Sequence, residues 1–381
     1  MAPTTLLLSA GEASGDMYAA QLAAELKKLT DVEIFGMGGA EMRAAGVDVI
    51  ADYHEVSVVG ITEILSHLPS LIRAMRKLVS AARARKPALA IITDFPGFHL
   101  RLARKLKPLG VKNVYFICPQ FWAWRPWRAR LIRRRFALAL CIFPFEEKFF
   151  ADAGVQVKFI GHPLAGQVCA KRSREQFCRE HGLDPQRPIV TILPGSRRGE
   201  LAQHLPVLFA ACGKIAAAEP VQFVMAAAPG RAGLLRESWP RELRASVVEG
   251  ETYDALAAAD ASIVSSGTAT VEAALLDAPM VVVYRVTPLT ALLAKPLVRT
   301  PFFSMVNLIA GRAVVPELIQ TRFTAENVSA EILKLLREPD AREAMRRDLA
   351  EVRRRLGPAG AAGRAARAIC NLLPGPSGNA S

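Results

Sequence analysis

Three short stretches carry residues whose types and spacing can do chemistry. In the first, Asp94 closes the apolar run Ala88-Leu-Ala-Ile-Ile-Thr93 and is followed by Phe95-Pro-Gly-Phe-His99. Ligands of open α/β sheets bind outside the carboxyl ends of strands, and an apolar flank desolvates a carboxylate and raises its pKa. Such a group can take a proton from a hydroxyl. It can equally cap the helix that follows and do no chemistry. His99 is a second candidate base or a residue of the helix start. The second stretch is Ser266-Gly-Thr-Ala-Thr-Val-Glu272, where Gly267 and Thr268 open a helix whose free amides favour an anion. Glu272 stands one turn on from Thr268, on the same face, where it can hold a sugar hydroxyl. The third is Pro194-Gly-Ser-Arg-Arg-Gly-Glu200, a small-residue turn armed with Arg197 and Arg198: an open backbone nest at Gly195 and Ser196 with a guanidinium beside it describes a pyrophosphate clamp.

All three sit where a strand gives way to a helix. Ala261–Ser265 and Met280–Tyr284 are short β-branched runs on either side of the second stretch, and Pro188–Leu193 precedes the third. In the first half, strands are expected at Thr4–Ser9, Val32–Gly39, Ala88–Thr93, Val114–Cys118, Cys141–Phe145 and Val157–Pro163. The first of these runs into Gly11-Glu-Ala-Ser-Gly-Asp16, where Gly11 and Gly15 permit close backbone approach while Glu12, Ser14 and Asp16 offer side-chain oxygens; a helix follows over Met17–Leu29. That turn lacks the Lys-Ser/Thr pair of a P-loop. Gly36-Met-Gly38 begins a dinucleotide fingerprint, but Glu41 occupies the third glycine position, which argues against NAD.

Strand and helix alternate through both halves, so the fold class is α/β, with two doubly wound Rossmann-like domains and helices at the C-terminus. The linker falls near His162–Gln167. This gives domains over 1–165 and 166–345, with C-terminal helices and a disordered tail over 346–381. Ser304–Gly311 and Val314–Leu318 read as loop. Ala325–Leu356 reads as a basic helical pair, and Ala361–Leu373 as a last helix. With phosphate turns in both halves and a carboxylate at a strand end, the pattern describes a nucleotide-sugar enzyme whose ligand lies in the cleft between domains. No Asp-x-Asp pair marks a metal site, and no cofactor is called for.

The 381 residues carry 49 Lys and Arg against 35 Asp and Glu, a formal charge of +14. That surplus points to an anionic partner: a phosphorylated substrate, nucleic acid or an acidic membrane. Six scattered cysteines without a Cys-x-x-Cys pair fit a reduced, cytosolic protein with buried thiols. The N-terminus has no basic n-region and does not read as a signal peptide. No run approaches the ~18 uninterrupted apolar residues of a membrane span.

Two segments suit a surface role. Ile64–Leu78 is a helix with Ile64, Leu65, Leu68, Leu71, Ile72, Met75 and Leu78 on one stripe and Arg73, Arg76 and Lys77 beside it. The stripe is either core or an interfacial helix that docks on anionic lipid. Pro119–Arg135 packs three tryptophans and six arginines into one span, including Trp122, Trp124 and Arg125. This composition fits base stacking, a phosphosugar or a headgroup zone.

The chain resembles the lipid-A-disaccharide synthases, glycosyltransferases of the GT-B class. The resemblance rests on Gly11-Glu-Ala-Ser-Gly-Asp16, Asp94-Phe-Pro, Trp122-Ala-Trp-Arg125, Phe159-Ile-Gly-His-Pro163, Leu193-Pro-Gly-Ser-Arg197 and Ser266-Gly-Thr-Ala-Thr-Val-Glu272, in order, over nearly the whole chain. It implies transfer of diacylglucosamine from its UDP derivative to the 6-hydroxyl of diacylglucosamine 1-phosphate, with inversion and release of UDP. Asp94 is then the general base. Gly195, Ser196, Arg197, Ser266, Gly267, Thr268 and Glu272 hold UDP, with Asn307 and Tyr284 in support. The Gly11–Asp16 turn and the Trp122–Arg125 segment face the sugar. The resemblance also implies a peripheral enzyme on the cytoplasmic face of the anionic inner membrane and a homodimer through the C-terminal helices. His99, Ala19 and Gln120-Phe121 depart from the family pattern, which commonly has Asn, Gly and Ser-Val there. A UDP-sugar 2-epimerase would share the fold and the second stretch but not need the Trp/Arg segment. A nucleic-acid-binding protein built on Trp122–Arg135 would leave Asp94 and both nucleotide turns without a purpose.

Overall fold

A computed structural model describes residues 3–56, 68–240, 242–243, 245–294 and 300–373. They form two compact units, 1–163 with 358–381, and 164–357.

The first unit is built on a sheet of parallel strands: β1 (Thr4–Ser9), β2 (Val32–Gly38), β3 (Asp48–Asp52), β4 (Leu89–Ile92), β5 (Lys112–Phe116), β6 (Leu138–Cys141) and β7 (Val157–Phe159). Their order is β3-β2-β1-β4-β5-β6-β7. Leu6, Leu7 and Leu8 of β1 and the whole of β4 are buried, as strands covered on both faces require. Chain order reverses between β1 and β4, where Leu6 pairs with Leu89. Both strands end at the crevice this reversal opens, and Asp94 and the Gly11–Asp16 turn follow them directly.

The second unit repeats the plan with β8 (Ile189–Leu193), β9 (Gln222–Ala227), β10 (Ala245–Glu249), β11 (Ala261–Ser265), β12 (Met280–Tyr284) and β13 (Glu317–Ile319), all parallel, in the order β10-β9-β8-β11-β12-β13. Its reversal lies between β8 and β11. The turns that leave those strands are Pro194–Arg197 and Ser266–Gly267. The helix Arg198–Ala218 is long and apolar enough to cross a bilayer by length and composition, but Leu201, Leu205, Leu208 and Ile215 are buried within this unit.

Several expectations need correction. The chain leaves the sheet at Cys141, not Phe145. Pro144 has the fixed φ suited to a first helical turn and opens the helix Pro144–Asp152, where Glu146 accepts the Phe143 amide. Ser304–Gly311 is not loop but the helix Met305–Ala310, capped by the Ser304 hydroxyl and closed by Gly311 at φ 71°. Glu317 and Leu318, also read as loop, belong to the edge strand β13, and β3 carries no expectation from the sequence. The helix expected over Met17–Leu29 begins at Ala13, inside the Gly/Ser turn. The helix Ala361–Cys370 packs on Ala13–Leu29, and the Arg364 guanidinium ties it down through the carbonyls of Ile160, Pro358 and Ala359.

The apolar stripe divides. Ile64 and Leu65 lie outside the described residues, and the helix is described from Leu68 to Arg85. Leu78 is fully buried, while Leu71 and Met75 pack against the core. Leu68 and Ile72 are 47% and 44% exposed.

Candidate active site

Asp94 and Phe95 both have positive φ, 50° and 35°. Neither is glycine, and such conformations cost on the order of 1–3 kcal/mol each, so the surroundings must impose them. The imposing contacts are visible. Tyr115 Oη donates to the Asp94 carbonyl at 2.9 Å, and His99 Nδ1 donates to the same oxygen at 3.1 Å. A carbonyl only accepts, so Nδ1 carries the proton. Burial pushes the His99 ring down to about 4, and it is neutral near pH 7. Its Nε2 therefore accepts from the Ser9 hydroxyl at 2.8 Å. His99 is a buried strut and not a second base. Its 3.8 Å approach to Asp94 Oδ1 is no ion pair while the ring is neutral.

The corner so made pushes the carboxylate into the Gly11–Gly15 turn. The Gly11 amide donates to Asp94 Oδ1 at 2.8 Å. A Cβ on Gly15 would fall 1.5 Å from Oδ2, and one on Gly11 would fall 2.5 Å from the Phe95 Cβ, so a side chain at either position would displace the Asp94 carboxyl or the Phe95 ring. Asp94 Oδ2 is buried and has no hydrogen-bond partner among the described residues. Burial raises the Asp94 carboxyl to about 8, against the opposing pull of the Gly11 and Glu12 amides, with the Glu12 and Asp16 charges adding to the rise.

The rest of the turn divides in role. Asp16 is buried and structural: Oδ1 accepts from the Gly39 amide at 2.6 Å and Oδ2 from the Glu41 amide at 3.0 Å, so it heads the helix Ala40–Ala44 and does not face a sugar. Glu12 and Ser14 are exposed. In the aromatic segment, Trp122 is half-buried and donates Nε1 to Glu146 at 2.9 Å, a partner the sequence did not reveal. Glu146 is fully buried, and burial lifts its carboxyl to about 7 despite that bond. Trp124 and Trp127 are exposed, with the Arg125 guanidinium 4.7 Å from the Trp124 ring.

The second unit holds a cavity of about 770 Å³ at its own strand reversal. The lining includes Gly195, Ser196 and Arg197 from the β8 turn and Ser266, Gly267, Thr268 and Glu272 from the β11 turn. Gly267, at φ 149°, precedes the helix Thr268–Leu275, whose first amides have no partner within the helix. Glu272 is largely buried; burial pushes its carboxyl up, against a 3.1 Å bond from the Tyr253 hydroxyl. The β8 turn differs from the expected open nest. The Ser196 and Arg197 amides both donate to Glu200 Oε2 at 3.2 Å, so a carboxylate already fills it. The Arg197 guanidinium stays 80% exposed, paired with Glu200 at 3.1 Å. Lys171 and Tyr253, which belong to no motif in the sequence, line the same cavity.

Two residues fall away from the site. Asn307 is buried, donating to Val315 and Glu317 and accepting from the amides of Val314 and Val315, which leaves it no capacity for a ligand. Tyr284 is outside the cavity lining, 3.5 Å from Glu200. Among the described residues, Glu180, His181 and Glu251 group their donor atoms closely enough for a metal. The Arg172 guanidinium already supplies a cation there, at 2.9 Å from Glu180 and 2.6 Å from Glu251.

The family model for lipid-A-disaccharide synthetase matches residues 6–366. A lipid-A-disaccharide synthase of Solibacter usitatus is 49% identical over 372 residues, covering 97% of this chain and 98% of its own. The chain belongs to the lipid-A-disaccharide synthase family. It is therefore a glycosyltransferase of lipid A biosynthesis. The fold is shared more widely, as GT-B relatives show. The calicheamicin glycosyltransferase superposes with a TM-score of 0.60 at 18% identity, covering 99% of this chain and 100% of its own. A UDP-GlcNAc 2-epimerase of Neisseria meningitidis, bound to UDP-GlcNAc, gives 0.59 at 10% identity, covering 97% and 99%. Fold alone does not separate the synthase from the epimerase; the family match does.

The raised Asp94 carboxyl has a thermodynamic consequence. Between the ordinary carboxylate range near 4 and about 8, the unfolded chain has lost this proton and the folded chain has kept it, so stability falls as pH rises through that window. Asp94→Asn removes the titration. Its melting temperature relative to the parent is expected to rise steadily from pH 4 to pH 8 in thermal unfolding; a flat difference would show that the carboxyl is not shifted.

Proposed function

We propose that this enzyme moves 2,3-diacylglucosamine from its UDP derivative to the 6-hydroxyl of 2,3-diacylglucosamine 1-phosphate, with inversion and without a metal, releasing UDP and a tetra-acyl disaccharide 1-phosphate. The observation that carries this reading is the buried, unpartnered Oδ2 of Asp94 at the strand reversal of the first unit. A carboxylate raised to about 8 is a stronger base than an exposed one, and its second oxygen has no hydrogen-bond partner to compete for the proton. The acceptor hydroxyl gives its proton to Oδ2 as its oxygen bonds the anomeric carbon. The bond from that carbon to the UDP oxygen breaks in the same displacement, which inverts the centre.

The charge that develops on UDP falls to the cavity of the second unit. The amides at the head of Thr268–Leu275 and the positive end of that helix meet the phosphates, with Arg197 and Lys171 at the lining. Glu272, held by Tyr253, accepts from a ribose hydroxyl. The reading requires the sugar carried by that nucleotide to be delivered to Asp94. Both substrates carry acyl chains, and the first unit exposes Leu68 and Ile72 beside Arg73, Arg76 and Lys77, as well as Trp124 and Trp127 beside Arg125. Apolar side chains fringed by cations suit the headgroup zone of the anionic inner-membrane leaflet, at its cytoplasmic face.

Incubation with the UDP-linked donor and the 1-phosphate acceptor, in the presence of a chelator, is expected to release UDP, and Asp94→Ala is expected to abolish release while UDP affinity stays within about twofold. Near-normal turnover in Asp94→Ala would sink the base assignment. Leu68→Ser with Ile72→Ser is expected to reduce sedimentation with anionic liposomes and leave the melting temperature within a few degrees, since exposed positions contribute within about 0.5 kcal/mol. Unaltered sedimentation would remove this helix from the membrane contact.

A further inference from the structure

The Asp94 carbonyl, rather than its carboxylate, is where the surrounding residues converge. Two donors from different elements meet on that one oxygen: Tyr115 from β5 at 2.9 Å and His99 from the helix Pro96–Leu106 at 3.1 Å. Tyr115 and His99 are fully buried, and Ser9 of β1 holds the far nitrogen of the His99 ring. Three elements of the first unit thus clamp a single peptide group. That group lies between two consecutive non-glycine residues at positive φ, a conformation the chain does not adopt unaided.

We propose that Tyr115 and the Ser9–His99 pair are positioning residues for the transfer: they hold the Asp94 peptide in its left-handed turn and so keep the carboxyl seated between Gly11 and Gly15, with Oδ2 unpartnered, at the strand end where the acceptor's proton is taken. This rests on Asp94 being the base. Neither residue touches the carboxylate oxygens within hydrogen-bonding distance; each acts through the main chain. Released from the clamp, Asp94 relaxes toward ordinary φ, and its carboxyl swings out of the Gly11–Gly15 turn into water. The titratable groups around it are Glu12 and Asp16 from the turn, Tyr53, His99 and Tyr115. With the carboxyl moved into water, it titrates in the usual carboxylate range.

Positioning and plain packing give different results. Tyr115→Phe keeps the ring and removes only the donor. It is expected to lower kcat about tenfold or more, as small misplacements of reacting groups do, with KM for the donor within twofold. The acidic limb of its kcat profile is expected to move to lower pH than in the parent. His99→Leu is expected to act in the same direction. His99→Asn is expected to recover most of kcat, because its amide nitrogen is as many bonds from Cβ as Nδ1 and can donate to the same carbonyl. Lower melting temperatures for Tyr115→Phe and His99→Leu with unchanged kcat and acidic limb, beside an inactive Asp94→Ala, would overturn the positioning role and leave the base assignment standing. An active Asp94→Ala would overturn the base assignment and the positioning role with it.

Discussion

One steric fact governs the first unit: Asp94 and Phe95 turn through left-handed space and press closely against Gly15 and Gly11. The atoms of Asp94 and Phe95 stand where side chains on Gly15 and Gly11 would be. Everything nearby is arranged around that contact. The strand reversal brings the ends of β1 and β4 together, Tyr115 and His99 clamp the peptide, and Asp16 heads a neighbouring helix so that the turn keeps its shape. The result is a carboxyl removed from water with one oxygen held by the Gly11 amide and the other buried without a hydrogen-bond partner. Strain and desolvation both cost stability, and proteins keep such features where the chemistry needs them.

The second unit uses the same topology for a different end. At its strand reversal there is no strained carboxylate but a wide cavity, headed by the amides of a helix and flanked by cations. Here glycine serves the chain itself, since Gly267 turns from strand to helix at φ 149° with open space where a Cβ would be. Glu200 completes this contrast. By filling the amides of the Pro194–Arg197 turn it closes one anion site and leaves Thr268–Leu275 as the head that faces the cavity. One doubly wound plan therefore holds a strained, buried carboxyl in the first unit and a cavity headed by helix amides in the second.

The sequence made the framework legible where its signals were local. Ala261–Ser265 and Met280–Tyr284 fall on β11 and β12 residue for residue, because a β-branched run ended by a Gly or Pro break has little choice. Asp94 was legible for the same reason, as an acid at the end of an apolar run. Asn307 was misplaced, since hydrogen-bond saturation is a tertiary property: it reads as a polar residue in a loop until Val314, Val315 and Glu317 come round to meet it, and Tyr284 lies outside the cavity lining. Tyr115 and Ser9 looked like ordinary strand residues, and only the fold reveals that they close on Asp94. His99, open between base and helix start, is decided by burial and by the two oxygens it bridges. The stripe over Ile64–Leu78 was ambiguous because helical periodicity marks an apolar face without saying what covers it; within the described part, Leu78 turned inward and Ile72 outward.

The central claim is that a buried carboxyl at Asp94 has its proton affinity raised into the range where it can serve as base. It is tested most directly by carbon NMR of the aspartate side-chain carboxyls across pH, with Asp94→Asn identifying the resonance. A titration near 8 is expected for Asp94, well apart from the exposed aspartates. A midpoint near 4 for that resonance would contradict the account.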